Sequence, residues 1–133
     1  MFENNLVKTQ NLETERRKYR DIFNNIMNLS PKIRFLTIID SEGRLMAGGQ
    51  RDGISNYLSP QTEKESLRHA MDAWKLRQKF SNQIGDGIYA LAKYSKIKRI
   101  TIPFDRDHLL YMTTEVDENH DNLIENILRI KDR

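Results

Sequence analysis

Two acidic turns hold most of the side chains that could do chemistry. Asp105-Arg106-Asp107-His108 gathers two carboxylates and an imidazole into one short stretch. A hard cation could use those oxygens, but the spacing of a calcium loop is missing. Asp also forms turns through its own hydrogen bonds, and a polar hairpin turn accounts for the stretch. Asp40 and Glu42 could be drawn as an acid/base pair in Asp40-Ser41-Glu42-Gly43. Such close turn positions rarely aim two carboxylates at one substrate. Turn formation explains Asp40, and Gly43 suits the positive φ at the turn's end.

The remaining chemistry-bearing types are isolated. His69, His108 and His120 have no second ligand at i+2 or i+4, and the zinc-hydrolase motifs are missing. There is no cysteine, hence no thiolate ligand, thiol nucleophile or disulfide. Gly48-Gly49 and Gly85-Asp86-Gly87 lack the Lys-Ser/Thr of a phosphate loop and the spacing of a dinucleotide fold. They read as a strand end and a helix stop. No serine sits in a nucleophile elbow. The residues thus point away from an enzyme, with no catalytic, metal or cofactor site expected.

Basic residues show more order. Lys64, Arg68, Lys75 and Lys79 share one helix face. Lys93, Lys96, Lys98 and Arg99 gather around one hairpin with Tyr89 and Tyr94 nearby, a pattern that can bind single-stranded nucleic acid. A net charge of only +3 argues against that use. Trp74, the lone tryptophan, and Arg77 one turn later are further candidates for ligand or partner contact.

These residues sit on a chain of 133, enough for one domain with a real core. Hydrophobic residues at 38% and charged ones at 31% fit a water-facing globular protein. The longest apolar run is far short of a membrane span of ~20 residues. With a polar N-terminus unlike a signal peptide, the chain is expected to be cytoplasmic.

Residues 1–10 read as a loose start. Leu12, Tyr19, Ile22, Phe23, Ile26 and Leu29 recur at helical spacing, predicting a helix from Asn11 to Leu29. Ile33–Asp40 is strand-like and apolar on both faces, which places it at the centre of a sheet. The Asp40–Gly43 turn and a return strand Arg44–Ala47 follow, and Gly48-Gly49 ends that strand. Ser59 as cap and Pro60 at the first helical position start a second helix, with Thr62–Glu65 as an alternative capping box. The helix is expected to reach about Asn82. It carries two apolar stripes: Leu67, Ala70, Met71 and Trp74, and, about 130° away, Ala73, Leu76 and Phe80. One stripe should cover a sheet. The other needs helix one or another chain. Strands Gly87–Tyr94, Ile97–Phe104 and Leu109–Val116 come next. A last helix, capped by Asp117 or Asn119, carries Leu123, Ile124, Ile127 and Leu128.

The resulting order is α-β-β-α-β-β-β-α, an α+β fold with a five-stranded antiparallel sheet and helices on its faces. That order and the Asp-x-x-Gly hairpin turn resemble the roadblock/dynein-light-chain fold. This is a branch of the profilin-like group that includes longin and PAS-like domains. The resemblance covers Asn11 to Ile130, and the whole chain reads as a single roadblock-like domain. The segments HAMDAWKLRQKF, YALAKYSKIKRITIPF and HDNLIENIL also resemble small proteins of ammonia-oxidising archaea, a group that brings no activity with it.

The roadblock resemblance implies a non-catalytic homo- or heterodimer that serves small GTPases or motor complexes as a scaffold or regulator. Its usual dimer pairs the strand after helix two with its copy and packs helix two on helix two. On this chain that surface is Ala73, Leu76 and Phe80 with Ile88, Tyr89, Leu91 and Tyr94. It matches the second apolar stripe, although Lys93 puts a charge on the edge. The alternatives are a PAS-like small-molecule sensor, with a cavity between sheet and helix two beside Trp74, and a nucleic-acid binder acting through the Lys93–Arg99 hairpin.

Overall fold

The computed structural model describes residue 17 and residues 19–132. The expected loose segment 1–10 and the expected start of helix one lie outside them. Helix α1 covers 19–27. It is followed by β1 (Ile33–Ile39), β2 (Leu45–Gln50), α2 (Pro60–Gln78), α3 (Ser81–Ile84), β3 (Ala90–Lys93), β4 (Ile97–Pro103), β5 (Leu109–Glu115) and α4 (His120–Lys131). The strands form one antiparallel sheet in the order β2-β1-β5-β4-β3. The expected α+β architecture is therefore the observed one.

Alternating strand residues divide the core into two layers. One face carries Leu36, Ile38, Ile100, Ile102, Leu110 and Met112, packed against Phe23 and Ile26 of α1 and Leu123, Ile124 and Ile127 of α4. The other carries Phe35, Ile39, Leu109 and Tyr111, packed against Leu67, Ala70, Met71 and Trp74 of α2. Helix α1 thus lies across the sheet from α2, so among the described residues it does not cover the second stripe of α2.

One strand's place in the sheet and three element boundaries differ from expectation. Strand β5, not β1, is the centre of the sheet. All seven residues of β1 are buried because helices cover both its faces. Burial reports coverage, not rank in the sheet. Strand β2 runs through Gly48 and Gly49, which pair with Thr37 and Leu36. Gly48 has φ +93°, and a Cβ there would strike the Leu36 carbonyl and crowd the Phe23 ring, so glycine lets the strand lie flat on β1.

Helix α2 ends at Gln78 instead of near Asn82. The amides of Lys79 and Phe80 bond back three residues, to the carbonyls of Leu76 and Arg77. That tightened turn breaks the α ladder, and α3 follows as a single turn. Strand β3 is only four residues long. Its register sets Ala90 opposite Thr101, which would put Pro103 opposite Ile88. Proline has no N–H with which to extend the ladder.

Local chemistry fixes the other ends. Ser59 Oγ accepts from the Thr62 amide at 3.2 Å and caps α2, with Pro60 at its first turn. Asn119 caps α4 by accepting from the Asn122 amide, also at 3.2 Å, while Asp117 pairs with Lys32. No helix among the described residues is long and apolar enough to cross a membrane.

Candidate interaction surface

The second stripe of α2 faces away from its own core. Ala73 is half-buried, whereas Leu76 is 56% and Phe80 51% exposed. The break at Lys79 places Phe80 in the corner between α2 and α3. Ile84 of α3, four residues beyond Phe80, is 83% exposed. The sequence reading missed Ile84 because it took the helix as unbroken and Gly85 as a simple stop. Ala73 and Arg77 border Ala90 and Ala92 of β3, so this side of α2 overhangs the end strand of the sheet.

The other expected residues surround that edge. Ile88 and Tyr89 are exposed in the segment leading into β3, not in the strand itself. Tyr89 lies near Ile124 and Leu128 of α4, on the opposite face from α2. Leu91 lies within β3, and its burial is incomplete. Tyr94 follows the strand, and its amide bonds to the Ile97 carbonyl at 2.8 Å. Apolar side chains therefore lie on both sides of one short sheet edge, whose outer backbone groups have no neighbouring strand among the described residues.

The basic hairpin does not form one patch. Lys98 and Arg99 are successive strand residues and point to opposite faces. Lys98 is 6% exposed, and its Nζ donates to the Glu118 carbonyl at 2.7 Å and lies 2.9 Å from His120 Nδ1, beside the start of α4. Arg99 turns toward α2, reaching Ser66 Oγ at 3.4 Å and His69 Nδ1 at 3.5 Å. Lys96 lies over the Tyr57 ring, and exposed Lys93 pairs in register with Lys98. Trp74 is buried at 4% exposure beside Gly87, with a shallow cleft of about 210 Å³ on its other side toward Asp105–Leu109.

Both acidic turns are spent on structure. Asp40 Oδ1 accepts the amides of Glu42 and Arg44 at 2.9 Å each, and Oδ2 accepts from Arg44 Nε at 2.8 Å. Burial pushes the Asp40 carboxyl up, but the bonds from Arg44 and Glu42 outweigh it and hold it below the usual range. Asp105 Oδ1 accepts the Asp107 amide at 2.9 Å and lies 2.8 Å from His108 Nδ1. There too burial opposes ionisation, and the bonds from His108 and Asp107 prevail. Among the described residues no three His, Asp or Glu side chains converge as a metal site would require.

No protein-family model matches this chain, and no curated protein matches it. Solved structures do. The roadblock/LC7 domain from Streptomyces avermitilis superposes with a TM-score of 0.63 at 9% identity, over 82% of this chain and 88% of that one. The gliding protein MglB from Thermus thermophilus gives 0.62 at 11% identity, over 88% and 90%. Profilin II of Acanthamoeba castellanii gives 0.56 at 12% identity, over 84% and 90%. The fold is the roadblock/LC7 and profilin fold. At such identities the likeness is one of backbone, so this roadblock-like chain must be read from its own side chains. MglB has also been solved in a tetrameric arrangement.

Proposed function

We propose that this chain is a non-catalytic regulatory or scaffold module that works as a homodimer. The dimer forms through the β3 edge, the Ala73 and Leu76 side of α2, and Phe80 just beyond that helix. The supporting observation is the exposure of Leu76, Phe80 and Ile88 on segments flanking β3, whose outer edge has no neighbouring strand among the described residues. Apolar side chains clustered around such an edge mark an interaction site more often than a solvated surface. A second copy suits it, because a two-fold axis along β3 would extend the sheet and bring the two α2 stripes together. The roadblock-like fold adds the expectation of a regulatory protein partner, a small GTPase being the leading candidate.

Nucleic-acid binding loses its basis, since Lys98 is buried toward α4 and Arg99 faces α2. Sedimentation velocity on wild type and Leu76→Glu tests the dimer. The wild type should sediment as a dimer and the variant as a folded monomer. A monomeric wild type, or a variant that stays dimeric, contradicts the interface.

A further inference from the structure

The first turns of α2, the Asn56–Leu58 loop and the turn between β3 and β4 enclose a cavity of about 530 Å³. It lies between sheet and α2, where a sensor would need one, but toward the other end of α2 from Trp74. Its size falls in the range of about 300–1,000 Å³ common to small-molecule sites. Three tyrosine rings line it, Tyr57, Tyr94 and Tyr111, together with Phe35. Tyr111 also packs edge-on against Phe35, with ring centroids 5.8 Å apart, and shares a 3.1 Å hydrogen bond with Ser66 Oγ.

The cations lining the cavity are not equally satisfied. Arg34 donates to Glu115 Oε1 at 2.6 Å and to the Ser55 carbonyl at 2.8 Å. Arg99 is half-buried, with its guanidinium about equidistant from the Tyr94 and Tyr111 rings, at 5.9 and 6.0 Å. It reaches Ser66 Oγ at 3.4 Å and His69 Nδ1 at 3.5 Å, and it also interacts with the Tyr111 hydroxyl. Charge-assisted bonds to a carboxylate run near 2.7–2.9 Å. Lys96 Nζ lies 5.3 Å from the Tyr57 ring centre, and neither Lys96 nor Arg99 has a carboxylate partner among the described residues. The planar Arg99 fork, beside two aromatic rings and without a carboxylate of the described residues on it, suits a planar anion.

The acids narrow the choice. Glu63 and Glu65 also line the cavity, and Glu63 Oε1 accepts from Asn56 Nδ2 at 2.9 Å. Two carboxylates on the α2 side repel a dianion, whereas one negative charge at the Arg99 end meets a matching fork. The tyrosines offer flat walls for a planar body, although the Arg34 guanidinium already lies 4.5 Å from the Tyr57 ring centre. We infer that this cavity binds a small aromatic carboxylate, with its ring among Tyr57, Tyr94 and Tyr111 and its carboxylate on Arg99 and Lys96. The inference goes beyond the dimer, since the cavity lies at the first turns of α2, and of the expected dimer residues only Tyr94 lines it.

Titration calorimetry with 2-naphthoate, 2-naphthamide and 2-naphthyl phosphate tests it on the full chain. Naphthoate should bind at least about tenfold more tightly than the neutral amide or the phosphate, a gap of about 1.4 kcal/mol. Arg99→Gln should erase the preference of acid over amide, and Tyr57→Ala, on a surface loop, should weaken both. Leu76→Glu should bind as wild type does, which separates this test from that of the dimer. No binding of naphthoate, equal binding of acid and amide, stronger binding of the phosphate, or an unchanged preference in Arg99→Gln would overturn the assignment.

Discussion

Helix α2 presents two apolar stripes of similar composition with opposite fates. Leu67, Ala70, Met71 and Trp74 are each at most 4% exposed, sealed against Phe35, Ile39, Leu109 and Tyr111. Ala73 borders the end of the sheet, with Leu76 and Phe80 exposed beyond it, and among the described residues β3 has no strand outside it. The first stripe is satisfied within one chain and serves stability. The second has the same chemistry without the cover, so its free energy is open to association. Apolar periodicity alone does not separate a folding face from a docking face. Its position relative to the sheet does.

That difference can be broken by substitution. Trp74→Ala should cost about 3–5 kcal/mol of unfolding free energy, read from urea midpoints, because the site is closed and leaves a cavity. A loss below about 1 kcal/mol would mean that the buried stripe is not the folding face.

Asp40→Asn probes the turn that abuts the same helix. Gly43, at φ +80°, lies so close to α2 that an added Cβ would stand 2.7 Å from the Arg68 Cα. The Asp40 carboxyl titrates lower folded than unfolded, so its stabilisation is present above the ordinary carboxylate pKa of about 3.9. That stabilisation is lost as pH falls through the lower folded value. The variant should lose about 1 kcal/mol at pH 7. Its stability gap to wild type should close in acid, and a gap constant from pH 7 to pH 3 would contradict the account.

Leu76→Ala should be the mildest change. In dilute monomer its effect on stability should stay within about 0.5 kcal/mol, as for an ordinary surface site. A large loss there would make both stripes structural and dissolve the contrast.

Much of the fold was legible because it rests on local signals. The Ser59-Pro60 start, the period of the buried α2 stripe, the Asp40–Gly43 turn and five strand segments all speak through neighbouring residues. What escaped depends on residues distant in sequence. Gly48 seemed to end a strand because its contact with Leu36 and Phe23 is tertiary. The shortness of β3 follows from Pro103 in the strand it pairs with. Lys98 and Arg99 looked like one patch until the pleat sent them to opposite faces. The Arg99 cavity joins Tyr57, Ser66, Tyr94 and Tyr111 from four separate elements, and no motif announces it.

The central claim is that the Ala73 side of α2 meets its own copy. The chain has no cysteine, so a single introduced thiol reports cleanly. Ala73→Cys and Arg68→Cys, on well-separated faces of α2, should be treated with a short bismaleimide linker at micromolar protein. The account predicts efficient covalent dimer for Ala73→Cys and none for Arg68→Cys. Cross-linking at Arg68 alone, or at neither position, would contradict it.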